Sequence, residues 1–344
     1  MRPKEYRIKE LLRKKGLDGA IVSSPENFHY VTGFGGHQHT VSRQPGFTLA
    51  VMRADDKVPT HLTTMDFEAA TFRIKAAGLN FVVDPYDTWV GLKTWDEIAH
   101  GAVVPDKTAM ESSMDKLVQF MKACDLANKK VGVELDYLPV PYYKSLTEKF
   151  PEAEFVDISD LFVYARSVKQ PDEIEMFRKL CRIADHGFTE VSKIAKIGVS
   201  ERELVQCFRE DVIKSGFCAP SSWSMFSTGP SSARLTLPGD GVVKDGDVVK
   251  FDAGVNAEFD FYTTDTSRAW IIGNGDPVLL KLKDRLYEGQ RRMIAAAKPG
   301  LPINELYHTA YDYVKEMFPC YRRGHQGHSI SMGPATAETP YINA

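Results

Sequence analysis

The sequence has few cysteines and only a small surplus of negative charge. Its five cysteines are scattered, odd in number and without Cys-x-x-Cys spacing, so most of them are expected to be small buried side chains in a reducing compartment. Lysines and arginines number 43 against 46 aspartates and glutamates, which leaves a net charge of -3. Because nucleic-acid binding requires a basic surface, no nucleic-acid partner is expected.

Long apolar runs and several catalytic motifs are also missing. No apolar run approaches the length that spans a bilayer, and the first residues lead into an amphipathic helix rather than a signal peptide. These absences predict a soluble, cytoplasmic protein without a membrane partner. The sequence also contains no Gly-rich phosphate loop, no Ser-His-Asp order and no Gly-x-Ser-x-Gly turn, so nothing points to a phosphate-loop enzyme or a serine hydrolase.

At 344 residues and 43% hydrophobic content, the chain is long enough for two domains of ordinary size. Its first part alternates between strand-like and helical patterns. Strands are predicted at 17–22, 47–52, 60–63, 80–83, 130–134 and 154–157. Helices are predicted at 4–15, 66–77, 112–127 and 141–149, with a short one opening after residue 25. This alternation predicts an α/β domain with a parallel or mixed sheet over residues 1–165.

A second domain, residues 166–344, is predicted after a boundary near Pro171. This proline and the acids that follow it mark a helix start, and apolar residues then keep helical spacing up to Val191. A further helix begins at Ser200 with a capping box and ends at Gly216. Two strands within 246–270 and helices at 278–297 and 302–317 complete the pattern.

The two strand-like runs within 246–270 each carry an aspartate. The first run leads to Asp252 just before a turn at Ala253-Gly254, and the second leads to Asp265, which is followed by Thr266-Ser267-Arg268. Burying an unpaired carboxylate costs several kcal/mol, so acids on neighbouring strands are best explained by a cation between them. The alternative is that both aspartates lie at strand ends and face water.

Downstream, a Gly/His-rich segment with His325 and His328 precedes Glu338-Thr339-Pro340. The order Asp, Asp, Gly-His-Ser-Ile, Glu-x-Pro resembles the creatinase/aminopeptidase P/prolidase family, the M24 metallopeptidases of the pita-bread fold. Residues 24–34, S-P-E-N-F-H-Y-V-T-G-F, resemble the N-terminal signature of that family, and residues 166–174 resemble its linker. The resemblance implies a creatinase/prolidase-type α/β domain followed by an α+β pita-bread catalytic domain.

The resemblance also implies a metal site. Asp252, Asp265 and His328 match three ligands that the family joins to two later glutamates, and together these hold two divalent metals. Mn, Co, Fe or Zn suits such a carboxylate and imidazole set. Glu338 is the nearby carboxylate left to serve as the proton shuttle, and His325 would partly replace an accessory histidine. The alternatives are a structural glutamate and an exposed loop histidine.

Substrate contacts follow from the same resemblance. Arg268 belongs to the strand that matches the family's S-D-x-T-R motif. His37 and His39 lie in a Gly/His-rich loop after the T-G-F sequence, a loop that in the family can reach the active site of the neighbouring subunit. All three are therefore candidates for substrate binding in a homodimer. An ordinary flexible loop is the alternative for the two histidines.

The sequence departs from the family pattern in several places. The gap from Asp252 to Asp265 is about two residues longer than usual, which a bulge containing Asp260 could absorb; Asp260 is then either a competing ligand or a solvent-facing turn residue. Thr236 and Ala337 stand where the family has accessory histidines. The chain also ends before both later glutamates, so the catalytic domain is expected to be incomplete and to lack its last strands.

These patterns favour a metal-dependent hydrolase of the Xaa-Pro dipeptidase type, in which a metal-activated water attacks the carbonyl of a short peptide. One alternative is a small-molecule C–N hydrolase or lyase on the same scaffold, similar to creatinase, ectoine hydrolase or the sulfonium lyases. Another is an inactive pseudopeptidase or fragment that binds a partner. The missing glutamates favour the last of these, and the ordered presence of two aspartates, an arginine and a histidine favours an enzyme.

Overall fold

The computed structural model describes residues 3–89, 91–102, 106–333 and 337–344. Contacts within the chain divide it into two units, Met1–Arg166 and Ser167–Ala344. Within the described ranges, no helix is both long enough and apolar enough to cross a membrane.

The first unit is built on a six-stranded mixed sheet in the order β4-β3-β2-β1-β5-β6. The strands are β1 Gly19–Val22, β2 Leu49–Arg53, β3 Thr60–Thr63, β4 Phe81–Val83, β5 Lys130–Val133 and β6 Glu154–Asp157. β1 pairs antiparallel with β2 and parallel with β5. Because β1 and β2 are fully buried, they read as continuous apolar runs, which is typical of strands covered on both faces. Each strand predicted here is present.

The helices of the first unit are α1 Pro3–Lys14, α2 Pro25–Thr32, α3 His37–Val41, α4 Ala69–Ala76, α5 Trp95–Ala99, α6 Ala109–Ala123, α7 Val140–Lys149 and α8 Ser159–Ser167. Of these, α1, α4 and α6 pack against strands of the sheet. α6 and α7 contribute Leu117, Phe120 and Leu146 to a core that also contains Ile21 and Val131. The sequence patterns missed α3, α5 and α8. Two of these, α3 and α5, have five residues each and are too short to display an apolar period.

The second unit combines helices with short antiparallel sheets. Its helices are α9 Pro171–Ile194, α10 Glu201–Lys214, α11 Pro277–Ala296 and α12 Ile303–Met317. Its strands are β7 Cys218–Pro220, β8 Met225–Thr228, β9 Val248–Ala253, β10 Val255–Ala257, β11 Thr266–Ile271, β12 His325–Ser329 and β13 Glu338–Asn343. They form a three-stranded sheet in the order β11-β9-β8 and the pairs β10-β7 and β12-β13. The predicted strand pair within 246–270 corresponds to β9 and β11.

An aromatic cluster decides which way β9 faces. Phe251 of β9 lies 5.2 Å from Phe188 of α9 and 4.8 Å from Phe208 of α10, measured between ring centroids. Val249, Phe251 and Ala253 are all fully buried. Since side chains alternate along a strand, Asp252 points to the opposite, partly open face.

Gly254 allows the chain to leave β9 directly after the first aspartate. Its N–H donates to the Ser221 hydroxyl and its carbonyl accepts from the Ser221 N–H, each at 2.9 Å. A Cβ at this position would lie 1.9 Å from the Thr264 carbonyl oxygen, so only glycine fits. Between β9 and β11 the chain forms β10 and a turn at 258–260, and this turn includes half-buried Asp260.

Candidate metal and catalytic site

The two aspartates lie side by side on the open face of β9 and β11. Asp252 pairs in register with Ser267 of β11, and Asp265 is two residues before Ser267. Residues with this diagonal relation project from the same face of a sheet and are within reach of each other. The Asp265 side chain is 18% exposed, and Asp252 is also partly buried.

This juxtaposition changes the acidity of Asp252. Burial raises the pKa of Asp252 to about 6, and the charge of Asp265 and a hydrogen bond between the two carboxyl groups add to that rise. The positive charges of Lys250 and Arg323 oppose it. Two carboxyl groups that share one low-dielectric site favour either a shared proton or a bound cation.

His328 of β12 joins this pair. Its Nε2 lies 3.1 Å from Oδ2 of Asp265, and its Nδ1 lies 3.0 Å from the carbonyl oxygen of Ser329. Each ring nitrogen thus faces an oxygen that accepts hydrogen bonds, and Nε2 is the nitrogen directed at the carboxylate. Metal-binding histidines usually have this arrangement, with the second ring nitrogen donating to a carbonyl or carboxylate.

The types of donor fit a divalent transition metal, since carboxylate oxygens and an imidazole nitrogen are ligands that such metals accept. The placement supplies two pairs that share Asp265: Asp252 with Asp265, and Asp265 with His328. Among the residues with described positions, no group of three or more His, Cys, Asp or Glu side chains is gathered closely enough to hold a metal ion. The described side chains are therefore of the types that bind such a metal, and they lie in contact as pairs. No three of them are close enough together to bind one metal ion.

The predicted proton-handling residues lie on the same pair of strands as His328. Glu338 of β13 is opposite Ser329 in the ladder and is half-buried. His325 begins β12, with its ring centroid 6.0 Å from that of His328. Burial, with smaller contributions from Arg323 and His328, lowers the pKa of His325. His325 is thus a half-buried strand residue and not the exposed loop histidine of the alternative interpretation.

The structure does not bring Arg268 to the aspartates. It is opposite Phe251 in the ladder, and therefore on the face of the sheet that the helices cover. Its guanidinium forms an ion pair with Asp185 of α9 at 2.6 Å and lies 5.3 Å from the centroid of the Phe188 ring. These contacts connect the sheet to α9.

His37 and His39 belong to the first unit and differ in exposure. His37 is exposed at the start of α3. His39 is 1% exposed, with its ring 4.8 Å from that of Phe28, and burial lowers its pKa to about 3. The predicted substrate contact by His39 does not agree with this position, because a neutral histidine inside the core cannot touch a substrate.

Sequence reasoning missed two polar residues next to these groups. Lys250 is on the same face of β9 as Asp252, two residues before it, and its ammonium donates to the Arg234 carbonyl oxygen at 2.7 Å. Ser329 receives a hydrogen bond from Lys169. Strand alternation could have identified Lys250 once Asp252 was chosen, whereas no local pattern connects residue 169 with residue 329.

Comparison with models of known protein families identifies the family of this chain. The sequence model of the creatinase/prolidase N-terminal domain matches residues 6–168, and that of metallopeptidase family M24 matches residues 175–344. The chain belongs to the M24 creatinase/prolidase family. As a member of this peptidase family it is a hydrolase, and the family predicted from the sequence motifs is confirmed.

Curated relatives of this M24 protein include peptidases with and without an assigned substrate. The uncharacterized peptidase YqhT of Bacillus subtilis is 24% identical over 331 residues, which is 95% of this chain and 81% of the relative. The Xaa-Pro dipeptidase of Pyrococcus furiosus is 29% identical over 216 residues, 60% of this chain and 61% of the relative.

Solved structures share the fold. The Xaa-Pro dipeptidase from Bacillus anthracis superimposes with a TM-score of 0.78 at 21% identity, covering 99% of this chain and 84% of the other. The N-terminal domain of the FACT complex subunit SPT16 from chickpea gives 0.70 at 15% identity, with 99% and 82% coverage. These similarities confirm the predicted fold of this M24 protein, a creatinase-type N-terminal domain followed by a pita-bread domain.

Proposed function

We propose that this M24 protein is a metal-dependent hydrolase of short peptides, of the Xaa-Pro dipeptidase type. The main support is the contact of Asp252 with Asp265 and of Asp265 with His328 on the open face of β9 and β11. The similarity to the Pyrococcus furiosus dipeptidase favours a peptide ending in proline.

Asp252, Asp265 and His328 are the proposed metal ligands. A bound divalent metal would supply positive charge that polarises the scissile carbonyl and lowers the pKa of a water molecule. The chain contributes two carboxylates whose mutual repulsion a cation relieves, and an imidazole whose Nε2 faces Asp265 while its Nδ1 lies against the Ser329 carbonyl. One or two ions of Mn, Co, Fe or Zn are consistent with these donors.

Glu338 and His325 are the proposed proton-handling residues. Both lie on the β12–β13 pair that carries His328. A carboxylate at Glu338 would hold and return a proton, and His325 would offer a ring nitrogen to the developing charge. Exposed His37 is the residue proposed to contact substrate from a second subunit of a cytoplasmic homodimer.

A metal-independent hydrolase or a partner-binding protein is the second candidate. The observation that favours it is the lack, among the residues with described positions, of a gathered three-donor set. The fold is shared with the N-terminal domain of a FACT complex subunit as well as with dipeptidases, and a shared fold does not establish a shared activity.

Metal content of the purified 344-residue protein tests the proposal. We expect about one or two transition-metal ions per chain by mass spectrometry, together with hydrolysis of Xaa-Pro dipeptides. Asp252→Asn, Asp265→Asn and His328→Gln should each weaken metal affinity at least about tenfold, because each removes a proposed ligand. Asp240→Asn is the matched control, since the side chain of Asp240 is 91% exposed.

Two results would contradict the proposal. A folded protein that binds no metal under saturating Mn²⁺ or Zn²⁺ would favour the second candidate. Metal binding that survives all three ligand substitutions would show that the metal site is elsewhere in the chain.

A further inference from the structure

Two cationic side chains, Lys250 and Arg323, lie close to the pair of aspartates. Lys250 precedes Asp252 by two residues on β9, so the two side chains project from the same face of the sheet about 7 Å apart along the strand. The ladder partner of Lys250 in β11 is Ala269. Because Ala269 is exposed and has a small side chain, it leaves the lysine uncovered on that side.

One contact fixes the ammonium group of Lys250. It donates to the carbonyl oxygen of Arg234, in the segment between β8 and β9, at 2.7 Å. An ammonium group has three N–H donors. Within the described part of the chain, the Arg234 carbonyl occupies one of them, and two remain for a ligand on the open face.

Arg323 is fixed through both its main chain and its side chain. Tyr307 of α12, which is 6% exposed, donates its hydroxyl to the Arg323 carbonyl at 2.9 Å. The Nε of Arg323 donates to the His325 carbonyl at 3.0 Å. Among the described contacts, these leave the two terminal amino groups of the guanidinium for a ligand, and such a pair can bind both oxygens of a carboxylate.

The two cations act on each other as well as on Asp252. Burial lowers the pKa of Lys250, the charge of Asp252 opposes this change, and the charge of Arg323 adds to it. Like charges that lie close together favour an anion between them, in the same way that the two aspartates favour a cation. The open face therefore offers a place for an anionic group beside the place for a metal.

We propose that Lys250 and Arg323 bind the free terminal carboxylate of a short peptide and so select dipeptides over longer or amidated peptides. The inference rests on the proposed function. In a dipeptide, three backbone bonds, about 4 Å in all, separate the scissile carbonyl carbon from the carboxylate carbon. A peptide bound with this carbonyl at Asp252 and Asp265 has its carboxylate within reach of Lys250, whereas in a tripeptide the carboxylate is three bonds further away.

The first test compares hydrolysis of alanyl-proline with that of alanyl-prolinamide, which lacks the negative charge. In Lys250→Met and in Arg323→Met, the ratio of kcat/KM for the acid to kcat/KM for the amide should fall about tenfold or more, because each change removes a hydrogen bond between charged groups. Lys250→Arg keeps a cation and should retain most of the preference for the acid. Arg322→Met is the matched control, since Arg322 is the exposed neighbour of Arg323.

This ratio distinguishes carboxylate binding from a structural role. If Lys250 served only to hold the Arg234 segment, Lys250→Met would lower kcat/KM for both peptides alike. An unchanged ratio in both methionine variants would therefore overturn the inference.

The second test measures binding of the same two peptides to metal-free protein by calorimetry, with Tm recorded for every variant. The unaltered protein should bind the acid more tightly than the amide, and each methionine variant should lose about tenfold or more in affinity for the acid. The double variant should bind the acid no more tightly than the unaltered protein binds the amide. Equal affinity of the unaltered protein for both peptides would contradict the carboxylate site.

The two tests separate this inference from the proposed function. A protein that cleaves the acid and the amide in the same ratio in every variant is a hydrolase without the carboxylate site. A metal-free protein that prefers the acid, and loses this preference in both methionine variants, has the carboxylate site. If that protein cleaves neither peptide when loaded with metal, the proposed hydrolysis is contradicted and the carboxylate site is retained.

Discussion

Glu134 of the first unit and Asp252 of the second both carry a carboxyl group that is removed from water, and the partners of the two groups differ. Glu134 of the first unit is 1% exposed and accepts hydrogen bonds from the N–H groups of Ser23 and Ser24, the Ser24 hydroxyl and the Asn27 amide. Burial raises the pKa of Glu134, and these donors oppose the rise. In the second unit the close partner of Asp252 is another carboxyl group, that of Asp265.

The different partners of Glu134 and Asp252 distinguish a structural carboxyl group from one with a chemical role. A buried carboxylate surrounded by donors is part of the polar framework of a fold, since its lone pairs are already occupied. A carboxyl group that faces another one has a raised pKa and is stabilised by a bound cation, and perturbed pKa values of this kind are common at functional sites. Ser24 is also the N-cap of α2, where its side chain accepts from the Asn27 N–H. The N-terminal signature 24–34 thus identifies the fold, whereas Asp252 and Asp265 identify the site.

The largest expected effect is at Glu134. Glu134→Gln places an amide group among donors that need an acceptor, so the free energy of unfolding should fall by about 3 kcal/mol. Urea unfolding followed by circular dichroism measures it. Glu148→Gln, on the exposed side of α7, is the control.

Asp252→Asn in metal-free protein tests the other side of the comparison between Glu134 and Asp252. Because this change removes one of two repelling carboxylates, the free energy of unfolding at pH 7 should stay the same or rise by about 1 kcal/mol. A loss at Asp252 as large as that at Glu134 would show that the two carboxyl groups do not differ in kind.

An intermediate effect is expected for the pH dependence of stability at His39. The pKa of His39 is lowered to about 3 in the folded chain, against about 6.5 in an unfolded one. Below pH 6.5 the unfolded chain binds a proton that the folded chain does not. Stability is therefore lost as pH falls, by about 2 kcal/mol between pH 7 and pH 5 from this group.

Urea unfolding of His39→Gln at both pH values tests this, because the variant should lose less stability on acidification than the unaltered protein. His100→Gln is the control, since the side chain of His100 is 77% exposed. Equal pH dependence in His39→Gln and the unaltered chain would mean that His39 is accessible to protons, as the substrate-binding interpretation requires.

Much of the fold could be predicted from local patterns. Strand runs such as 60–63 and 154–157 coincide with β3 and β6, because strands flanked by polar turns leave clear limits in a sequence. The α9 boundary was clear as well, since Pro171 and the acids after it favour a helix start. Helices without an apolar period, such as α5, gave no such signal.

The site was predictable only in part. Asp252, Asp265 and His328 follow from motif order, and the structure places them in contact as two pairs. The positions of His39 and Arg268 could not be predicted from local sequence. The burial of a side chain and the face of a strand on which it lies depend on contacts with residues distant in the sequence. The same is true of Lys169 and Ser329, whose contact spans 160 residues.

The smallest expected effect is at Arg268, and it tests whether closeness in sequence to Asp265 implies a role at the site. The ion pair with Asp185 has side chains 44% and 59% exposed, and exposed pairs contribute about 0–1 kcal/mol. Arg268→Met should therefore lower the free energy of unfolding by less than about 1 kcal/mol, with KM for an Xaa-Pro dipeptide changed less than about twofold, since less than about 0.4 kcal/mol of substrate binding is removed. Asp185→Asn should have the same small effect on stability, because it breaks the same pair. A tenfold rise in KM in Arg268→Met, absent from Asp185→Asn, would show that the guanidinium leaves α9 to bind substrate and would restore the role predicted from the sequence.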